Sequence, residues 1–150
     1  MTLTSAEEAR LGVRRTASLD ALLAEAEIVT LHLPVTAETR NLIDAAAIAR
    51  MRPGAVLVNT ARGGLVDEAA LASALREGRL LAAGLDVFEA EPPPADHPLL
   101  GLPNAVLTPH ISAGTLDAFE EKLSAALANV AAFLAGRPAD NLVTLPEIAA

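Results

Sequence analysis

Four apolar runs in this sequence each end on side chains able to do chemistry. "EIVTLHLP" ends on His32, Leu33 and Pro34, and "GAVLVNTA" runs into Asn59, Thr60 and Arg62. "LLAAGLDVF" leads to Asp86, Glu89 and Glu91; "AVLTPH" ends on His110, with "ISAG" after it. A histidine gives or takes a proton near neutral pH. A carboxylate beside it orients the imidazole and favours its charged form. An arginine offers a planar double donor that holds a carboxylate or polarises a carbonyl. The set contains no evident nucleophile and no three ligands suited to a metal. Proton transfer coupled to carbonyl polarisation remains, and reduction of a 2-keto acid fits if another group supplies hydride.

These residues meet only if the runs are neighbouring strands. The runs are continuously apolar rather than alternating, which predicts strands buried on both faces. Helical segments separate them. "SLDALLAEA" has Ser18 as N-cap, "DAAAIARM" has Asp44, and "DEAALASALREG" has Asp67, with Glu68 in its first turn and Gly78 just past its end. After the proline-rich loop "EAEPPPADHPLLGLPN" and the fourth strand, a long helix is predicted from Thr115 to Ala135. Its apolar residues Leu116, Phe119, Leu123, Leu127, Val130 and Leu134 recur every three or four positions. Strands alternating with helices imply βαβ units and a parallel sheet covered on each side, an α/β doubly wound arrangement. Ligands bind beyond the carboxyl ends of such strands. Consecutive strands lie about 4.8 Å apart, so Arg62, a carboxylate and His110 can converge on one crevice.

The chain has 150 residues, enough for one core, and no repeat or linker divides it. Apolar residues make up 52%, but phenylalanine is the only aromatic, so alanine, leucine and valine must fill the interior. The net charge of -8 argues against a nucleic-acid or anionic-membrane surface, so any anion must be held by a local site. Without cysteine there are no disulfides or thiolate sites. No run approaches the roughly 18 apolar residues of a spanning helix, and "MTLTSAEEAR" lacks the core of a signal peptide. A cytoplasmic protein is the expectation.

Each residue also has a plainer reading. Arg62 could be a surface ion-pair partner, His97 an ordinary loop residue, and His32 a strand end satisfied by backbone. Glu89 could face solvent, Asp86 could merely cap its strand, and Gly63–Gly64 could mark a tight turn with positive φ. Their joint placement at successive strand ends favours a site.

The motifs "LHLPVTAETRNLID", "MRPGAVLVNTARGGLVDEAAL", "GLDVFEAEPPPADHPLL", "LPNAVLTPHIS" and "NVAAFLAGRPADNLV" occur in that order. Together they closely resemble the D-isomer-specific 2-hydroxyacid dehydrogenases, from about Leu11 to Val143. The resemblance implies that Arg62 binds the substrate carboxylate and carbonyl, that His110 is the general acid/base, and that Glu91 is its paired carboxylate. It implies that Asp86 holds the nicotinamide carboxamide of NAD or NADP. Leu33, Pro34, Thr60, Ala61, Ile111, Ser112 and Ala113, with Arg62 and His110, would complete the cofactor wall. Formate dehydrogenases resemble this pattern but carry glutamine where Glu91 stands. The substrate implied is a small 2-keto or 2-hydroxy acid.

The chain holds no G-x-G-x-x-G, the loop that seats the pyrophosphate in that family. The expectation is therefore a partial Rossmann-like sheet over residues 1–150, lacking the N-terminal glycine-loop βαβ unit and the separate substrate domain. "IVTLHL" would then be an apolar sheet edge, prone to associate, and Val13–Thr16 would also lack its neighbour. Two readings follow. One is a catalytic part of a dehydrogenase, either cut short by a misplaced start or completed by another chain carrying the glycine loop; a homodimer is also what the resemblance implies. The other is a non-catalytic remnant or a binding and oligomerisation module.

Overall fold

The computed structural model describes residues 4–111 and 114–140. The chain divides into two compact units, Met1–His110 and Ile111–Ala150.

The first unit is built on four parallel strands in sequential order: β1 (Ile28–Leu31), β2 (Val56–Asn59), β3 (Ala82–Leu85) and β4 (Ala105–Leu107). Val29, Leu57, Ala83 and Ala105 stand in one cross-strand row, and Leu31, Asn59, Leu85 and Leu107 in the next. Helices α1 (Ser5–Leu11), α2 (Leu19–Glu25), α3 (Ala45–Arg50) and α4 (Glu68–Arg76) complete the unit. Ser18, Asp44 and Asp67 cap α2, α3 and α4 as their sequences predict, each side-chain oxygen accepting an amide three residues on. Gly78 takes φ 69° just past α4, the left-handed conformation that glycine adopts without a Cβ penalty. Helix α1 is an addition to the sequence reading. Thr4 and Glu7 form a reciprocal capping box there, and the T-x-x-E spacing was its signal.

One hydrophobic core joins sheet and helices. Val29, Leu57 and Leu85 pack with Leu23 of α2, Ile48 of α3 and Leu71 of α4. Leu23, Leu57 and Leu71 are fully buried. The other strand positions tell a different story. Ile28 is 64% and Val106 70% exposed, and Val56, Val58, Ala82 and Gly84 are only partly covered. The α/β parallel architecture is as expected, whereas burial on both faces is not: strand residues alternate. Apolar runs of four residues are too short to separate half-buried from fully buried strands. Val13–Thr16 forms no strand. β1 is the sheet edge, as the absence of a glycine-loop strand implies.

The second unit contains α5 (Leu116–Leu134), within a residue of the limits expected for the long helix. Its apolar row, Leu116 to Leu134 at the spacing noted above, is between 48% and 79% exposed. Asn129 closes the turn that follows: its amide donates to the Asp140 carbonyl at 3.1 Å, and the Asp140 amide donates back at 2.9 Å.

Candidate active site

The carboxyl end of β2 is organised by a buried asparagine. Asn59 is 1% exposed, and its amide group donates to the Arg62 carbonyl at 2.9 Å while its oxygen accepts the Ala61 amide at 3.1 Å. A polar side chain in a core row is costly unless both ends are bonded. Satisfying Asn59 therefore folds Thr60–Arg62 into a fixed loop. The exposed Arg62 side chain donates to the Ala61 carbonyl at 2.6 Å. Sequence reading named Asn59 at the strand end but gave it no role; its polarity amid apolar neighbours was the available signal.

Gly63 and Gly64 open a short 3-10 turn into α4, and neither takes a positive φ. The turn is there, but the positive φ expected of it is not. A Cβ on Gly63 would lie 1.9 Å from the Phe88 carbonyl carbon and 2.2 Å from the Glu89 nitrogen. Gly63 exists to let two backbones touch. That contact joins the Arg62 loop to the segment leaving β3.

Across it, the Phe88 amide donates to Glu91 Oε1 at 3.0 Å, and Glu91 Oε2 meets His110 Nδ1 at 2.8 Å. A carboxylate offers only acceptors, so Nδ1 carries the hydrogen. The His110 ring's hydrogen bond is the first cause holding the Glu91 carboxyl below the usual glutamate range. The Phe88 amide is the second, and the charges of His110 and Arg62 add to both; partial desolvation opposes them. His110 has φ 56°, a left-handed conformation that costs a non-glycine residue about 1–2 kcal/mol. The Glu91–Pro92 peptide is cis.

The structure therefore pairs Glu91 with His110 directly and brings Arg62 within electrostatic reach of Glu91. Asp86 is 3% exposed and accepts a hydrogen bond from the Thr108 hydroxyl, while its amide donates to the Asn59 carbonyl at 3.0 Å. Leu33, Pro34, Ala61 and Arg62 line a concavity of about 480 Å³ with His32 and Val35. Thr60 is exposed between the Asn59 and Ala61 positions. Ile111 opens the second unit; Ser112 and Ala113 lie outside the described residues.

Three of the plainer readings change. His32 bonds the Thr30 hydroxyl at 3.1 Å rather than backbone. Glu89 does face solvent, yet it also pairs with Arg40 at 2.8 Å. His97 is no ordinary loop residue: it is only 9% exposed at its side chain and contacts Glu68 at 2.9 Å. Loop composition could not show that burial.

Comparison with known proteins identifies the family. Residues 2–112 match the family model described as "D-isomer specific 2-hydroxyacid dehydrogenase, NAD binding domain". Glyoxylate/hydroxypyruvate reductase B of Pectobacterium atrosepticum is 46% identical over 134 residues, covering 89% of this chain and 42% of the relative. A D-isomer specific 2-hydroxyacid dehydrogenase from Xanthobacter autotrophicus, solved with NADPH and MES, superposes with a TM-score of 0.71 at 41% identity, covering 84% of this chain and 51% of that one. D-lactate dehydrogenase with NAD+ from Lactobacillus jensenii gives 0.79 at 34% identity, covering 86% and 43%. The chain spans about two-fifths of the length of the glyoxylate/hydroxypyruvate reductase it matches. It belongs to the D-isomer-specific 2-hydroxyacid dehydrogenase family.

Proposed function

We propose that this chain carries the acid/base and substrate-anchoring half of an NAD- or NADP-dependent 2-hydroxyacid dehydrogenase. The Glu91–His110 pair beside Arg62 is the observation that supports it most. With Nδ1 donating to Glu91, His110 is oriented to present Nε2 to substrate. In the reductive direction Nε2–H gives its proton to the oxygen of a 2-keto acid as the carbonyl carbon takes up hydride. Glu91 stabilises the imidazolium before the transfer. Arg62 holds the substrate carboxylate in a bidentate grip and draws electron density from the carbonyl. Bound NADH or NADPH supplies the hydride.

The residues present fit the nicotinamide end of such a cofactor. The concavity at the ends of β1 and β2 offers the apolar walls of Leu33, Pro34 and Ala61. The Asp86 carboxylate at the end of β3 is an acceptor suited to a carboxamide. No G-x-G-x-x-G in this sequence serves the pyrophosphate. A glycine-loop unit, carried elsewhere on the same polypeptide or by a different chain, would add its strand beside β1, the sheet edge whose Ile28 is 64% exposed.

The test grafts residues 1–150 in place of the matching segment of the Pectobacterium relative, beside the 150-residue chain alone. Both are assayed with NADH and NADPH against glyoxylate, hydroxypyruvate and pyruvate. The chimera should turn over, and His110→Asn or Arg62→Gln should lower kcat/KM by roughly 10²–10⁴-fold. A folded chimera that binds NADH but reduces none of these acids overturns the reading, as does turnover indifferent to both substitutions. The chain alone should be inactive and should self-associate through β1 in size-exclusion chromatography.

A further inference from the structure

We propose that Glu68 and His97 are positioning residues for the Glu91–His110 pair, a part-buried brace between α4 and the loop that carries Glu91. The catalytic meaning of the brace rests on the dehydrogenase reading above; its geometry does not.

Glu68 opens α4 directly after the cap Asp67. Its side chain is 13% exposed and that of His97 is 9% exposed, although one lies at a helix start and the other in a proline-rich loop. A carboxylate largely withdrawn from water needs partners, and Glu68 has two. Oε2 meets His97 Nε2 at 2.9 Å, and Oε1 accepts the Glu89 amide at 2.9 Å. The Leu99 amide donates to His97 Nδ1 at 3.4 Å, so Nε2 is the nitrogen that donates to Glu68. The Phe88 ring stands edge-on to the His97 ring at 5.6 Å and 85°.

The consequence lies in two adjacent amides. The Glu89 N–H is bound by Glu68, and the Phe88 N–H binds Glu91, whose other oxygen holds His110. Fixing one amide fixes the peptide plane that carries it, and Gly63 packs against the same peptide from beneath. Between β3 and β4 the chain has no regular element, and a connection of that length does not hold itself rigid. α4 fastens it near both ends, with Glu68 on His97 and Glu89, and with the Arg76 guanidinium on the Pro98 carbonyl at 2.6 Å. The other charges facing this network are Arg40, paired with Glu89 at 2.8 Å, and Arg62, whose charge acts on Glu91. A carboxylate whose support is loose by an ångström cannot orient an imidazole, and such displacement is costly to rate.

The experiment follows the Glu91 carboxyl carbon by NMR across an acid titration of the purified chain, without cofactor or substrate. The variants are Glu68→Gln, Glu68→Ala and His97→Gln, with Ile48→Val of the α3 core as a stability control. In the parent chain Glu91 titrates below the ordinary value. Glu68→Ala should move it up toward that value, since a displaced Phe88 amide and a loosened His110 bond both stop favouring the ionised form. Glu68→Gln should restore part of the difference, because its amide oxygen still accepts the Glu89 N–H. Ile48→Val should leave the Glu91 midpoint in place. An unmoved midpoint in folded Glu68→Gln and His97→Gln overturns the proposal, as does an equal shift in Ile48→Val. In the chimera, Glu68→Gln should lower kcat, by up to about a hundredfold, with KM little changed. A shifted Glu91 in a chimera without turnover would condemn the dehydrogenase reading and spare the brace. An active chimera with an unmoved Glu91 would do the reverse.

Discussion

Two arms reach the carboxyl edge of this sheet, and they are fixed by different physics. The Arg62 arm is held by short-range means. Asn59, three residues before it, bonds Ala61 and Arg62, and Gly63, one residue after it, seats the loop against Phe88 and Glu89. The Glu91–His110 arm is assembled across 19 residues of sequence and braced from α4 by Glu68. The first arm ends on an exposed guanidinium bonded to the carbonyl of the preceding residue. The second ends on a preformed hydrogen bond between Glu91 and His110. A long cation can wait for an anionic substrate and close on it. A proton donor must be oriented beforehand, because proton transfer tolerates little misplacement.

Damage at the junction of the arms should have the largest effect. Gly63→Ala drives a Cβ into the Phe88–Glu89 backbone and should cost about 3 kcal/mol or more, seen as a large drop in Tm by circular dichroism. A near-normal Tm would mean that the arms do not bear on each other. Asn59→Ala strikes the first arm alone. It strands the Ala61 amide and Arg62 carbonyl and should cost about 2 kcal/mol by urea denaturation. Amide exchange should quicken at Ala61 and stay slow at Phe88; quickening at both would merge the arms into one unit.

His110→Asn strikes only the second. Asparagine tolerates the left-handed backbone at φ 56°, so Tm at neutral pH should fall only by the small contribution of the lost Glu91 bond, while the proton transfer proposed above is lost in the chimera. The smallest effect is the acid dependence of stability. Because the folded-state pKa of Glu91 is lowered, its contribution is complete above the ordinary glutamate value of about 4.3. It fades as pH falls through the folded value. His110→Asn removes the leading cause of the shift, so denaturation midpoints of parent and variant should converge as acid is added. Parallel curves would show that the pair adds no pH-linked stability.

Much of this was readable without coordinates. The caps at Ser18, Asp44 and Asp67, the four strands and the long helix are signalled by local rules of polarity and periodicity, and those rules act within a turn or two of the chain. The motif order named the family and marked Arg62, Glu91 and His110 as candidates for its site. Other features had no such signal. The partner of His97 is Glu68, 29 residues away, and the reason for Gly63 lies in a peptide plane 25 positions on. Alternating burial on short strands was invisible because valine and alanine serve a covered and a half-covered face alike.

The sequence by itself determined which residues could transfer a proton or hold a carboxylate, and that each follows the end of a strand. Side-chain chemistry and the period of the backbone are local properties. Tertiary structure alone decided that Glu91 meets His110, that Asn59 shapes the Arg62 loop, and that two backbones touch at Gly63. Those outcomes depend on distances between segments, which are set by packing the whole sheet against its helices and cannot be written into any single stretch of chain.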